Sequence, residues 1–192
     1  QSPAQAGTAG GEWGVWGGDL ASSRYSPLSQ IDETNFDKLQ VIWRWKAANY
    51  GPEPDRIYRA TPLYVNGKLY TVAGLRRTVT CIDPATGETL WMFREKDNPR
   101  WAASTRKNYG KGVAYGEIAG RRVIFYTSPA FFLHALDAKS GEHVENWGTP
   151  VPIAGFPRTG VVDMLPDLVR DWEPWLTAEK KYDAEKGIPR EL

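Results

Sequence analysis

Histidine and cysteine, the side chains that most readily exchange a proton near neutral pH, bind a transition metal or form a covalent intermediate, number only two and one in this sequence, and their spacing limits what each could do. His134 and His143 stand nine residues apart, one in an apolar run and one beside a turn. That is not the spacing of a metal-ligand pair, and both read as structural. Asp83 and Asp137 are 54 residues apart, and each is followed four positions later by glycine, Gly87 and Gly141. A carboxylate at the head of a tight turn accepts hydrogen bonds from backbone N–H groups two or three residues on, and the glycine supplies a positive φ. Asp83, Asp137 and also Asp19 therefore read as turn formers rather than acid–base catalysts. The one cysteine, Cys81, lies in the apolar run Val79-Thr80-Cys81-Ile82. It reads as a small buried core residue.

The elements that carry these residues repeat. Residues 61–65 read as a strand, Asn66-Gly67 as a hairpin turn, and 68–73 as the returning strand. A third strand over 78–82, the Asp83 turn and a fourth strand over 89–93 complete one antiparallel sheet. Four short strands in one run are the unit of a propeller blade. The pattern recurs with strands at 112–116 and 122–127, joined by the turn Ala119-Gly120, then a strand at 131–136 and the Asp137 turn. A repeat of this length is a mark of radial architectures. Trp91, four residues past Gly87, is placed to lie across a neighbouring blade. In the second copy Glu145 holds that position and the tryptophan is Trp147, so either a bulge shifts the ring or this blade lacks the contact. Alternation over 41–46 predicts a further half-buried strand. Residues 35–39 predict one helical turn, and 161–165 a short strand or turn. The sign-alternating run 179–186 reads as solvated surface.

Bulk composition agrees with a sheet protein. The 192 residues include nine Trp, nine Tyr, 19 Gly and 14 Pro, a turn-rich and aromatic balance. Net charge is +1, which gives no electrostatic reason to expect nucleic acid as a partner. No stretch of the sequence approaches the roughly 20 apolar residues of a membrane-spanning helix. The chain starts Gln1-Ser2-Pro3-Ala4 without methionine, from which we expect a periplasmic or secreted protein whose signal peptide has been removed.

Several segments resemble the pyrroloquinoline-quinone (PQQ) dependent alcohol and sugar dehydrogenases, an eight-bladed β-propeller family. These are the opening Trp16-Gly17-Gly18-Asp19 with Arg24-Tyr25-Ser26-Pro27-Leu28, the block Ala60-Thr61-Pro62-Leu63, and Ile82-Asp83-Pro84-Ala85-Thr86-Gly87 through Trp91. The last is similar to the family's tryptophan-docking repeat. Gly110-Lys111-Gly112-Val113-Ala114-Tyr115 is similar to a cofactor-proximal segment. The docking repeat is shared with non-catalytic propellers, whereas the opening and the Gly-Val-Ala-Tyr segment are more specific.

The resemblance implies an all-β fold, the first blades of a partial β-propeller, with a quinone near the ring axis and a calcium or lanthanide ion beside it. It implies oxidation of an alcohol, polyol or sugar by hydride transfer to the quinone, with electrons passed to a cytochrome or quinone acceptor. Lys111 is a cofactor-binding candidate where the family commonly has an arginine, and lysine lacks the planar bidentate fork. Arg59 is the second candidate, at a position where some members carry a glutamate. Thr105-Arg106 stand where some members have a vicinal cysteine pair. The catalytic aspartate and the metal ligands of the family belong to later blades, so no catalytic or metal-binding residue is expected within this chain.

The expected organisation is a disordered tail over 1–12, N-terminal blades over 13–163, and a charged surface excursion over 164–192 leading to missing blades. A propeller needs at least four blades, and two or three would leave strand edges in water. The remainder of the ring is therefore expected on the same or a second chain. The alternative function is a non-catalytic propeller scaffold of the outer-membrane assembly factor type.

Overall fold

Positive φ at two successive residues suits the right-handed twist of a two-residue hairpin, and the chain meets that requirement twice. Asn66 and Gly67 have φ of 51° and 68°, and Ala119 and Gly120 have 48° and 79°. A computed structural model of the protein describes residues 8, 10–47, 57–74, 76–104, 109–110, 112–149 and 159–164. In it, β1 (Ile57–Tyr58) precedes a four-stranded meander of β2 (Leu63–Val65), β3 (Lys68–Ala73), β4 (Thr78–Ile82) and β5 (Thr89–Phe93). Helix α1 (Pro99–Ala103) and β6 (Tyr109–Gly110) follow. A second four-stranded sheet is built from β7 (Ala114–Ile118), β8 (Arg121–Thr127), β9 (Phe132–Asp137) and β10 (Val161–Asp163). Both meanders are antiparallel throughout, so each is one propeller blade as expected.

The core lies between the blades. Leu63, Val65, Val72, Val79 and Cys81 of the first sheet pack with Ile124, Tyr126 and Leu136 of the second. All five residues of β4 are buried, whereas β5 alternates with Leu90 and Met92 exposed. Burial of this size, at about 25 cal/mol per Å² of apolar area, is the main force holding one sheet on the other. Cys81 is buried as predicted, and desolvation pushes its thiol up to about 11.

The two aspartate turns are near copies. Asp83 Oδ1 accepts from the Ala85 N–H at 2.8 Å, and Asp137 Oδ1 from Lys139 and Ser140 at 2.8 and 3.0 Å. In each, the glycine N–H donates back to the aspartate carbonyl at 2.8 Å, and Gly87 and Gly141 share a φ of 75°. Trp91 docks on the second turn: its Nε1–H donates to the Ala138 carbonyl at 3.1 Å, and its ring covers Gly141.

The strand predicted over 41–46 does not form. Its alternation is real, but the backbone there has no partner strand among the described residues. Two indoles anchor it instead. Trp43 covers Gly87 and donates to the Pro84 carbonyl at 2.9 Å, and Trp45 donates to Thr89 Oγ1 at 3.0 Å. Trp43 thus repeats on the first turn the pose of Trp91 on the second. The expected helical turn is a 3₁₀ turn at Phe36–Lys38.

The second blade departs from the first at its outer strand. Residues 142–144 run beside β9, with Leu136 bridged to His143 and the Val144 N–H donating to the Ala135 carbonyl at 2.9 Å. The remaining length of β9 is paired by β10, with Val161 opposite His134. Residues 145–160 are inserted between these two halves. Asn146 turns with φ of 59°, and Trp147 comes back onto Phe125 of its own sheet, 5.6 Å between ring centroids. The lack of a docking tryptophan at Gly141 plus four, left open by the sequence, has this cause: the strand leaves the sheet at Glu145.

Candidate functional site

The candidate cofactor segment leads into β7, the first strand of the second blade, as β1 leads towards β2, the first strand of the first. β1 and β6 form a short parallel ribbon, Ile57 opposite Tyr109 and Tyr58 opposite Gly110. The Tyr58 hydroxyl bonds Thr71 Oγ1 of β3, which ties the ribbon to the first blade. Gly112, with φ of 85°, follows closely against Ala60, and a Cβ added there would stand 3.5 Å from the Ala60 Cβ. Arg59 follows β1 directly and is exposed. It lies at the end of the sheets from which β2 and β7 both start. Lys111 lies outside the described residues, between Gly110, which pairs with Tyr58, and Gly112. Thr105 and Arg106 also lie outside them.

The other chemically able residues are placed elsewhere. Asp19 is a turn former as read: Ser23 donates to it through both its hydroxyl and its N–H, and these bonds hold the carboxyl below its usual range. Tyr70 and Tyr115 are pushed up by burial, so both remain protonated phenols. The first donates to the Ala138 carbonyl at 3.1 Å and the second accepts from Asn66 Nδ2 at 2.8 Å. Among the described residues no group of three or more His, Cys, Asp or Glu side chains is disposed to hold a metal ion.

One constellation escaped the reading of the sequence. His134 and His143 are neighbours in space, Nδ1 to Nε2 at 3.0 Å, and His134 Nε2 meets Glu95 Oε2 at 2.9 Å. Glu95 lies 39 residues before His134, so no local motif marks it. The only hint was the pair of histidines itself, whose separation matched no ligand pattern.

Comparison with known proteins follows the same lines. A family model described as the PQQ glucose/ethanol/alcohol dehydrogenase β-propeller domain matches residues 13–179. The chain is 34% identical over 161 residues to a 1-butanol dehydrogenase (cytochrome c) of Thauera butanivorans, covering 78% of this chain and 21% of that protein. It is 31% identical over 215 residues to the glycerol dehydrogenase large subunit of Gluconobacter oxydans, covering 93% of this chain and 28% of that one. Among solved structures, the quinohemoprotein alcohol dehydrogenase of Comamonas testosteroni aligns with a TM-score of 0.56 at 28% identity, over 68% of this chain and 18% of that one. The chain therefore spans between a fifth and a third of the length of these curated relatives.

Proposed function

Because this chain belongs to the PQQ-dependent glucose/ethanol/alcohol dehydrogenase β-propeller family, we propose that it supplies the first blades of an exported, periplasmic dehydrogenase that oxidises an alcohol, polyol or sugar. The observation that carries the reading is the β1–β6 ribbon, in which Tyr58 stands opposite Gly110 and Ala60 lies against Gly112, with the exposed Arg59 between Tyr58 and Ala60 in the chain. The quinone bears carboxylates, and an exposed guanidinium is the group that pairs planar anions best. Arg59 fits it on that ground, and Lys111 would add a second cation. Gly112 supplies a left-handed backbone, φ of 85°, beside Ala60 and leaves the ribbon end free of side-chain bulk.

When bound, the quinone supplies a hydride acceptor and the calcium or lanthanide ion a Lewis acid. This chain's own task in that scheme is binding and orientation. Arg59 and Lys111 hold the anionic edge, and the Tyr58–Thr71 bond keeps the ribbon fixed to the first blade. The base and the metal ligands are assigned to the remaining blades, on the same or a second chain. A row of exposed apolar residues in the opening segment, including Leu20, Tyr25, Ile31, Val41 and Ile42, supports the reading that more protein covers it. A cytochrome or a quinone is the proposed electron acceptor, the first by similarity to the butanol dehydrogenase.

The test is reconstitution of the apoprotein of the complete polypeptide with PQQ, followed by absorbance and equilibrium dialysis. Arg59→Ala should weaken quinone binding by about tenfold, the worth of one charge-assisted hydrogen bond. A protein that neither releases nor takes up a quinone would sink the enzyme reading and leave the non-catalytic scaffold. Binding unchanged by Arg59→Ala would remove Arg59 from the site.

A further inference from the structure

The Glu95–His134–His143 chain joins three separate parts of the fold. Glu95 lies just past β5 of the first blade, His134 is in the middle of β9, and His143 is in the first half of the interrupted outer strand. Glu95 and His134 are buried, with side chains 4% and 1% exposed. The second carboxylate oxygen of Glu95 accepts from Asn98 Nδ2 at 2.9 Å, and Asn98 in turn caps α1 through the Trp101 N–H. Phe93 lies against both imidazoles, 5.1 and 5.0 Å between centroids, and Tyr126 stacks on His134 at 5.5 Å. Gly160 has no room for a side chain, since a Cβ there would stand 2.5 Å from the His143 Cβ. The inserted segment therefore returns directly against His143.

Proton counting shows what such a chain can do. With both histidines neutral, His134 Nε2–H donates to the Glu95 carboxylate and His143 Nε2–H donates to His134 Nδ1. With one proton added, His134 is the imidazolium. It donates from both nitrogens, and His143 accepts at Nε2 in its other tautomer. Both states satisfy every facing atom. A second added proton gives two N–H groups and two positive charges facing each other across 3.0 Å, and the contact must open.

We infer that Glu95, His134 and His143 form a one-proton clasp between the two blades, closed at neutral pH and opened by acid. On the buried side the charged groups other than Glu95 are engaged with partners of their own. Arg100 is engaged with Asp163 in a bidentate pair at 2.7 Å across the Phe132 ring. The Tyr126 hydroxyl donates to the Arg76 carbonyl, Arg76 pairs with Asp97, and Arg77 donates to the Thr127 carbonyl. On the solvent side, Arg121, Asp137, Glu142 and Glu145 line with His143 a cleft of about 270 Å³, the route by which the proton arrives. Burial and the neighbouring His134 hold His143 down to about 4, consistent with a closed clasp at neutral pH.

The experiment is hydrogen exchange, corrected for intrinsic rate, on the complete protein between pH 7 and pH 4. Protection of peptides spanning 93–104 and 132–144 should fall at least tenfold more than that of 78–82 in the first blade. His143→Gln should abolish this difference, because a glutamine amide can donate to or accept from His134 Nδ1 without titrating. Equal pH dependence in wild type and H143Q would overturn the clasp. Nitrogen-15 histidine spectra of the wild type give a second reading that needs no variant. The His143 imidazole should remain neutral at pH 5. A His143 imidazole that takes up its proton near 6.5 would overturn the proposal.

Discussion

Adding one methyl group at Gly141 should cost far more than adding it at Gly120, although both glycines have nearly the same backbone. Their φ angles are 75° and 79°. Left-handed backbone costs an alanine roughly 1–2 kcal/mol at either site. The surroundings differ. An added Cβ at Gly120 meets nothing within 4 Å, whereas at Gly141 it stands 2.5, 2.7 and 3.1 Å from atoms of the Trp91 ring. Those atoms belong to a rigid indole held by its bond to the Ala138 carbonyl, so the ring has to lift off the turn. Overpacking of this kind costs a further ~1–3 kcal/mol. Gly141→Ala should therefore destabilise by about 3 kcal/mol and Gly120→Ala by about 1. Urea titration of the complete protein, followed by circular dichroism, supplies the comparison through midpoints at a common m-value. In a Trp91→Ala background the penalty of Gly141→Ala should shrink to the backbone cost alone, a coupling of about 2 kcal/mol. Equal costs at the two glycines, or no coupling to Trp91, would refute the argument that the indole fixes this turn.

Trp43→Ala should cost about 2 kcal/mol despite its exposed neighbours Val41 and Ile42, because it removes both the cover of Gly87 and the bond to the Pro84 carbonyl; thermal unfolding would register it. Arg100→Lys should lose ~1 kcal/mol in urea titrations, since lysine cannot reproduce the bidentate contact with Asp163. Stability should also fall in acid through His143. The unfolded chain takes up a proton below about 6.5 that the folded chain refuses until about 4, so this contribution is whole above the first value and lost towards the second. Its size is ~1–2 kcal/mol, less than the full linkage value because the ring is partly exposed and screened, and His143→Gln should flatten that limb of the pH–stability curve.

The blades themselves were legible because their signals are local. Two-residue turns that need positive φ, alternation of period two and an aspartate–glycine turn each act within a few residues, so Lys68–Ala73, Thr78–Ile82 and Thr89–Phe93 fall where the sequence puts them. The docking of Trp91 was legible too, since the turn it covers is spelled out in the repeat. Tertiary structure decided what depends on a partner far along the chain. Alternation over 41–46 specifies two faces but not a strand to bond to, and there the indoles of Trp43 and Trp45 took over the anchoring. The exit of the outer strand at Glu145 and its resumption at Val161 left no local mark, because either half alone has the pattern of a strand. Arg59 could be named from the sequence, but its place beside Gly110 and Gly112 comes from the parallel register of β1 on β6. Glu95 acquired its meaning only when β9 carried His134 against it. A buried carboxylate and two imidazoles become one proton-holding unit through distances of 2.9 and 3.0 Å, which the packing of one sheet on another sets.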